Sequence, residues 1–212
     1  VAGHSGLYVI DVSDPENPDE LGFYDTEGDA IGVFVAGEFA YMPNEEDGLR
    51  VIDVSDPENP DEVGFYNTQG DAYGVFIVGD LAFVTDGYSG LRVIDVSDPE
   101  TPDEVGFYDT PGSARGLFVV GDLAYVADGR GRFPVRGSLR LIDISDPENP
   151  DEVGFYDIQG DAAGVFVTGE LAYVADESEG LCIFDVSNSE NPNEVVVYDT
   201  GYAGGVFVVG NL

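Results

Sequence analysis

One phrase constrains this chain more than any other feature. Ile-Asp-Val-Ser-Asp-Pro-Glu-Asn-Pro-Asp-Glu begins at Ile10 and again at Ile52. It returns from Ile94 with Thr for Asn, from Ile142 with Ile for Val, and in a degraded form from Phe184. Successive starts lie 42, 42, 48 and 42 residues apart. A fixed period of this size marks an array of one supersecondary unit.

A second phrase keeps step with the first. Gly-Val-Phe-Val and its variants start at Gly32, Gly74, Gly116, Gly164 and Gly205. The segment 33–68 shows the whole unit: four apolar runs of four to six residues, Val33–Ala36, Phe39–Met42, Leu49–Val54 and Val63–Asn67. Each is rich in Val, Ile, Phe and Tyr and is bounded by Gly, Pro, Asn or Asp, the pattern of short strands. Two-residue Gly-Asp and Gly-Glu links suit hairpin turns that need positive φ. No window has helical apolar spacing, because Gly or Pro interrupts each one. Runs such as Leu-Arg-Val-Ile-Asp-Val carry apolar residues at neighbouring positions, so both sheet faces need cover. Four-stranded antiparallel blades stacked about an axis provide it.

These residues resemble the LVIVD-repeat proteins. The family's run is matched by Leu7–Asp11, Leu49–Asp53, Leu91–Asp95, Leu139–Asp143 and Leu181–Asp185, with matching Ser-Asp-Pro and Gly-Val-Phe-Val flanks. The resemblance covers essentially the whole chain. It implies an all-β fold, a β-propeller, in prokaryotic proteins that are secreted or exposed on the cell surface. It implies no activity, since no catalytic motif is shared across the family.

The expected domain is a single propeller, 1–212, with repeat units at about 33–68, 75–110, 117–158, 165–200, and a fifth split between 206–212 and 1–26. Val206–Val209 supplies a first strand and Leu7–Val12 and Leu21–Asp25 a third and fourth. Asn211-Leu212 starts, and Val1–Gly3 ends, a divided second strand. Two readings of the ends stay open: a closed five-bladed ring with one split blade, which hides sheet edges, or a stretch of a longer array. Closure is the expectation, because an open array leaves a blade face uncovered. The lack of an initiating Met points to a chain that is not a whole gene product. There is no apolar stretch long enough to span a bilayer, and no membrane insertion is expected.

Charge narrows the partners. The chain has 43 acidic residues, seven basic ones and a net charge of -36. That excludes nucleic acid and anionic membranes as expected partners and fits a salt-rich extracellular setting, where ions screen self-repulsion. Blade topology puts the Asp-Pro-Glu-Asn-Pro-Asp-Glu loops on one face. Asp14, Asp56, Asp98 and Asp146 could contribute oxygens to Ca²⁺, which wants several at about 2.3–2.6 Å. The order of a dedicated Ca²⁺ loop is missing, and Asp-Pro and Asn-Pro form turns unaided. No cofactor is required; Ca²⁺ is the one the composition admits.

The opposite face breaks the pattern. One unit is longer by six residues, in the loop from Asp128 to Ser138. It carries Arg130, Arg132, Phe133 and Arg136, and Arg115 precedes the same blade where other units have Ile31, Tyr73, Ala163 and Gly204. Long loops on rigid scaffolds carry binding, and Arg forks suit carboxylate, sulfate or phosphate groups. The alternative is that these Arg residues pair with Asp128, Asp161 or Asp176 and only hold the loop. Asp29, Asp71 and Asp161 open three first strands near the axis and are the candidate metal ligands. The same carboxylates would serve a glycan-active hydrolase or another cation-dependent enzyme, yet glycosidic hydrolysis needs two in distinct environments, and nothing in the repeat distinguishes one. His4 is the one His, which excludes a triad or a His cluster. The lone Cys182 takes a strand position where other units have Arg or Tyr and reads as filler.

The resulting expectation is a non-catalytic extracellular module for binding or assembly, with its contacts made by loops of a rigid acidic propeller. The partner is protein, whether another surface protein or a second copy giving a homo-oligomer or filament, or an acidic glycan.

Overall fold

A computed structural model describes residues 1–3, 5–26, 28–131 and 136–210. All regular structure among them is β. The first sheet has three strands, β1 (Ala2–Gly3), β2 (Gly6–Asp11) and β3 (Asp19–Asp25), in that order. The second holds β4 (Phe34–Ala36), β5 (Phe39–Pro43), β6 (Leu49–Asp53) and β7 (Asp61–Tyr66). The third holds β8 (Gly74–Val78), β9 (Leu81–Thr85), β10 (Leu91–Asp95) and β11 (Asp103–Tyr108). The fourth holds β12 (Ser113–Val120), β13 (Leu123–Gly129), β14 (Ser138–Asp143) and β15 (Asp151–Asp157). The fifth holds β16 (Ala162–Thr168), β17 (Leu171–Asp176), β18 (Gly180–Asp185) and β19 (Asn193–Tyr198). Each four-stranded sheet is an up-and-down antiparallel meander, the blade of a propeller.

Local chemistry sets the unit. Gly37, Gly79, Gly121 and Gly169 sit at φ of 62°, 58°, 58° and 61° between first and second strands, where a side chain would strain the turn. Between third and fourth strands the loop is tied by its own carboxylates. The amide of Ser13 donates to Asp11 at 2.8 Å, and Ser55, Ser97, Ser145 and Ser187 repeat the bond to Asp53, Asp95, Asp143 and Asp185. Asp14 accepts from the Glu16 amide at 3.1 Å and from Asn17 Nδ2 at 2.9 Å, a pair repeated at Asp56. These are Asx turns, and they engage the oxygens that a cation would need.

The chain divides into two compact units, residues 1–84 with 93–104 and residues 85–92 with 105–212. In the first, Tyr41, Leu49 and Val51 of the second sheet bury against Ile77, Val84, Ile94 and Val96. In the second, Tyr125, Leu139 and Leu141 of the fourth sheet bury against Val165, Val167, Val174, Phe184 and Val186 of the fifth. A repeat thus has a forward face, filled by the next repeat, and a backward face that fills the previous one.

Glycine makes the outer part of these joints possible. At Gly22 and Gly64 a Cβ would overlap the carbonyl oxygens of Pro57 and Pro99 within the first unit. At Gly106 and Gly154 it would overlap those of Pro147 and Ser189 within the second. The Asp-Pro-Glu-Asn loop therefore plugs onto a bare backbone in the preceding repeat.

Val206–Val209, expected as a first strand, pairs in no ladder among the described residues. The strand that would follow it in a hairpin starts at Asn211-Leu212, outside the described residues. The segment nevertheless occupies the place of a first strand. Phe207 meets Phe166 with ring centroids 5.0 Å apart, as Phe166 meets Phe118 at 4.7 Å.

Candidate functional site

Two places depart from the repeat, and both lie in the second unit. The first is the arginine-bearing loop. Arg130 follows β13. Its amide donates to Asp161 Oδ1 at 2.8 Å, its Nε to the Gly160 carbonyl at 3.1 Å and its Nη2 to the Gln159 carbonyl at 3.2 Å. Arg115, inside β12, pairs through Nη1 with Glu177 at 3.2 Å and reaches Asp161 at 3.9 Å. The Tyr202 hydroxyl lies 3.5 Å from the other Glu177 oxygen. Arg115 and Arg130 thus make local contacts of the kind that the loop-holding alternative names. Arg136 is exposed, and no carboxylate comes within ion-pair reach of it among the described residues. Arg132 and Phe133 lie outside the described residues, as does His4.

Asp161 belongs to both candidate sets, the arginine cluster and the axial carboxylates. Its charge already faces Arg115 and the Arg130 amide. Asp29 and Asp71 are exposed and belong to the first unit. Among the described residues no three His, Cys, Asp or Glu side chains converge as a metal site requires.

The family model for the LVIVD repeat matches residues 1–26, 27–68, 69–110, 111–158 and 159–200. The chain belongs to the LVIVD repeat family. No curated protein matches it. Among solved structures it is similar in fold to the computationally designed Ika8 protein, at a TM-score of 0.67 and 9% identity. That alignment covers 91% of this chain and 56% of the designed one, so the LVIVD chain spans little more than half of that protein's length.

The second departure is the forward face of the last matched LVIVD repeat. In β19 the glycine of the joint is replaced by Val196, which is 45% exposed. Beside it Val195 is 57% and Tyr198 67% exposed. At the fourth repeat the residues in the same places, Val153, Gly154 and Tyr156, are half-buried or buried under the fifth sheet. On the same sheet, residues 206–210 line a cleft of about 530 Å³ with Tyr173 and Leu181.

Sequence reasoning did not find the buried or half-buried arginines of the LVIVD runs. Arg140 donates to Asp128 at 2.9 Å and to Glu152 at 2.6 Å and lies 5.0 Å from the Phe155 ring centre. Arg92 repeats the arrangement with Asp86, Asp109 and Phe107, and Arg50 with Asp47, Glu62 and Phe65. The signal was present in the register, because Arg50 faces Phe65 and Arg140 faces Phe155 across the strands. Cys182 takes that position in the fifth repeat. Asp176, the counterpart of Asp128, is wholly buried; Oδ1 accepts from the amides of Ser178 and Glu179, and Oδ2 has no hydrogen-bond partner among the described residues.

Proposed function

We propose that this chain is a non-catalytic assembly module that works outside the cell and joins other proteins through the open face of its last repeat. One observation carries the reading. The sheet face that is half-buried or buried at Val153, Gly154 and Tyr156 of the fourth repeat stands exposed at Val195, Val196 and Tyr198 of the fifth. A contiguous apolar patch on a soluble protein marks an interaction surface, the more so on a particle of net charge -36. The extracellular setting rests on that charge, which salt would screen.

Sedimentation velocity across a concentration series, at about 1 M salt to shorten the Debye length to about 3 Å, tests it. The expected result is association that strengthens with salt and disappears in Val195→Glu. Association unaffected by Val195→Glu would exclude this face.

Exposed Arg136 supports a second contact, with acidic glycan. Binding to a sulfated or carboxylated polysaccharide should weaken in Arg136→Ser and fade with salt, the opposite trend.

A further inference from the structure

Independently of the assembly reading, we infer that the cavity beside Arg50 binds a small zwitterion, an ammonium and a carboxylate on one short skeleton, as in a free α-amino acid. The cavity lies within the first unit. It has a volume of about 270 Å³ and is lined by Tyr24, Asp25 and Thr26 of the first repeat and by Asp47, Arg50 and Glu62 of the second. Its lining comes from two consecutive repeats and from neither end of the chain.

Arg50 departs from its counterparts. In the fourth repeat Arg140 is 7% exposed and pairs with Asp128 at 2.9 Å and Glu152 at 2.6 Å. In the third, Arg92 is 4% exposed and pairs with Asp86 at 3.6 Å and Asp109 at 3.2 Å. The second repeat has Asn44 in the place of Asp86 and Asn67 in the place of Asp109. Both changes remove a negative charge from around the arginine. Arg50 is left with Asp47 and Glu62, each at 3.5 Å, and its Nε has no hydrogen-bond partner among the described residues. Phe65 takes one face of the guanidinium, 4.9 Å from the ring centre. Asn44 is buried and turns elsewhere: its Nδ2 donates to Asp47 at 3.2 Å and to the Thr26 carbonyl at 3.4 Å.

A guanidinium offers five N–H donors in a fork that suits a carboxylate, and this one is held only by long contacts. The rest of the lining has the opposite sign. Asp25, Asp47 and Glu62 set three carboxylates against the one arginine. A simple anion would meet repulsion from them, and a simple cation would leave the guanidinium donors unused. A ligand that carries both charges satisfies both sides. Sites for drug-sized molecules start at roughly 300 Å³, so this cavity suits a skeleton of only a few atoms.

Saturation-transfer NMR on the full chain tests this with three probes of one skeleton: alanine, which carries both charges, propionate, which lacks the ammonium, and ethylamine, which lacks the carboxylate. Alanine should give a saturable signal. Each of the other two should bind about tenfold or more weakly, since each forfeits its hydrogen bonds to charged groups. An alanine signal that does not saturate, ethylamine binding as well as alanine, or propionate doing so would each overturn the inference. Arg50→Gln should weaken alanine by about the same factor. Because that change also removes a structural ion pair, Asn44→Asp serves as the second variant. It restores the carboxylate that holds Arg92 and Arg140, and should draw Arg50 back and weaken alanine likewise, in a protein that circular dichroism shows to be folded. Unchanged alanine binding in either folded variant overturns the inference. Association through Val195 is read separately by sedimentation, so the two readings stand or fall apart.

Discussion

Arg140 donates from Nε to Asp128 Oδ2 at 2.9 Å, and Asp128 is wholly buried. The carboxylate also accepts from the Thr110 hydroxyl at 2.8 Å and the Gly112 amide at 3.0 Å. The guanidinium in turn reaches Glu152 and covers Phe155. One charge pair thus ties β13, β14, β15 and the segment before β12 together.

Removing one partner of such a pair leaves the other buried and uncompensated. Asp128→Ala should cost about 3–5 kcal/mol, since desolvation is not returned when a buried pair is broken. Phe155→Leu, at a half-exposed ring, should cost only about 0.5–1 kcal/mol from the lost cation–π contact. Urea unfolding of the two variants measures the difference; equal small losses would mean that the pair contributes little.

The fifth repeat lacks this arrangement, and two substitutions explain why. Ile158, just before the fifth repeat, stands where Thr110 stands just before the fourth, and Cys182 stands where the fourth repeat has Arg140, so Asp176 lacks a hydroxyl and a guanidinium. Burial, with Asp176 close by, pushes the Cys182 thiol up to about 12. A buried thiol that is not ionised does not react. Cys182 should resist alkylation in the folded protein and be labelled only under denaturant. Cys182→Arg combined with Val197→Phe should raise the unfolding midpoint by supplying Asp176 with a partner and the new Arg with a ring. A drop in midpoint would show that the core around Phe184 cannot take the longer chain.

These cases show where sequence reading reached its limit. The period, the strand runs and the turn residues depend on local chemistry, and the five sheets follow the phrases closely. Several of the charge pairs join residues 12 or more positions apart, such as Arg140 with Asp128 and Glu152, and need the strand register before they can be seen. Asp161 is named twice in the sequence reading, as an axial carboxylate and as a partner for the arginines, but only the folded chain brings the Arg115 guanidinium and the Arg130 backbone amide both to it. The change from Gly154 to Val196 was plain in the sequence. Its meaning depends on knowing that a loop carbonyl from the next repeat lies on that glycine.

Glu45 has a positive φ of 25° where the third repeat has Gly87 at 53°. Its carbonyl accepts from the amides of Ala72 at 2.9 Å and Gly48 at 3.3 Å, which holds the backbone in place. A residue with a Cβ is strained in this region by about 1–2 kcal/mol. Glu45→Gly keeps both backbone bonds and should stabilise the protein by up to about 1 kcal/mol, after the extra freedom of glycine in the unfolded chain is offset. A thermal melt that falls instead would place a needed contact on the Glu45 side chain.

Acid should act in two stages. Burial raises Asp128 and Glu62 above their ordinary values of 3.8 and 4.5, although their arginines pull the other way. A carboxyl raised by folding takes up its proton more readily in the folded state. Stability therefore rises as pH falls through the folded value toward the ordinary one. Relief of self-repulsion adds to the rise. Asp11, Asp53, Asp95, Asp143 and Asp185 are held below 3.8 by hydrogen bonds from the following serines. Their contribution is complete above 3.8 and is lost as pH falls below it. The melting midpoint should climb from pH 7 to about pH 5 and drop once the turn carboxylates protonate. A midpoint that declines steadily from pH 7 would contradict the first stage.

The glycine joint yields a pair of opposite effects. At Gly154 a Cβ would meet the Ser189 carbonyl, a backbone atom that cannot swing aside. Gly154→Ala should therefore destabilise the fold by about 1–3 kcal/mol, the usual cost of overpacking. Val196→Gly reverses the situation on the open face. It removes the branched side chain and recreates the bare backbone that accepts a loop carbonyl elsewhere. Relief of comparable size, at 1.4 kcal/mol per factor of ten, should tighten association about tenfold. Gly154→Ala would leave association of the folded fraction unchanged, since it lies in an internal joint. Sedimentation equilibrium on both variants at high salt separates the effects, and a Val196→Gly protein that associates no better than wild type would show that Val196 does not limit this joint.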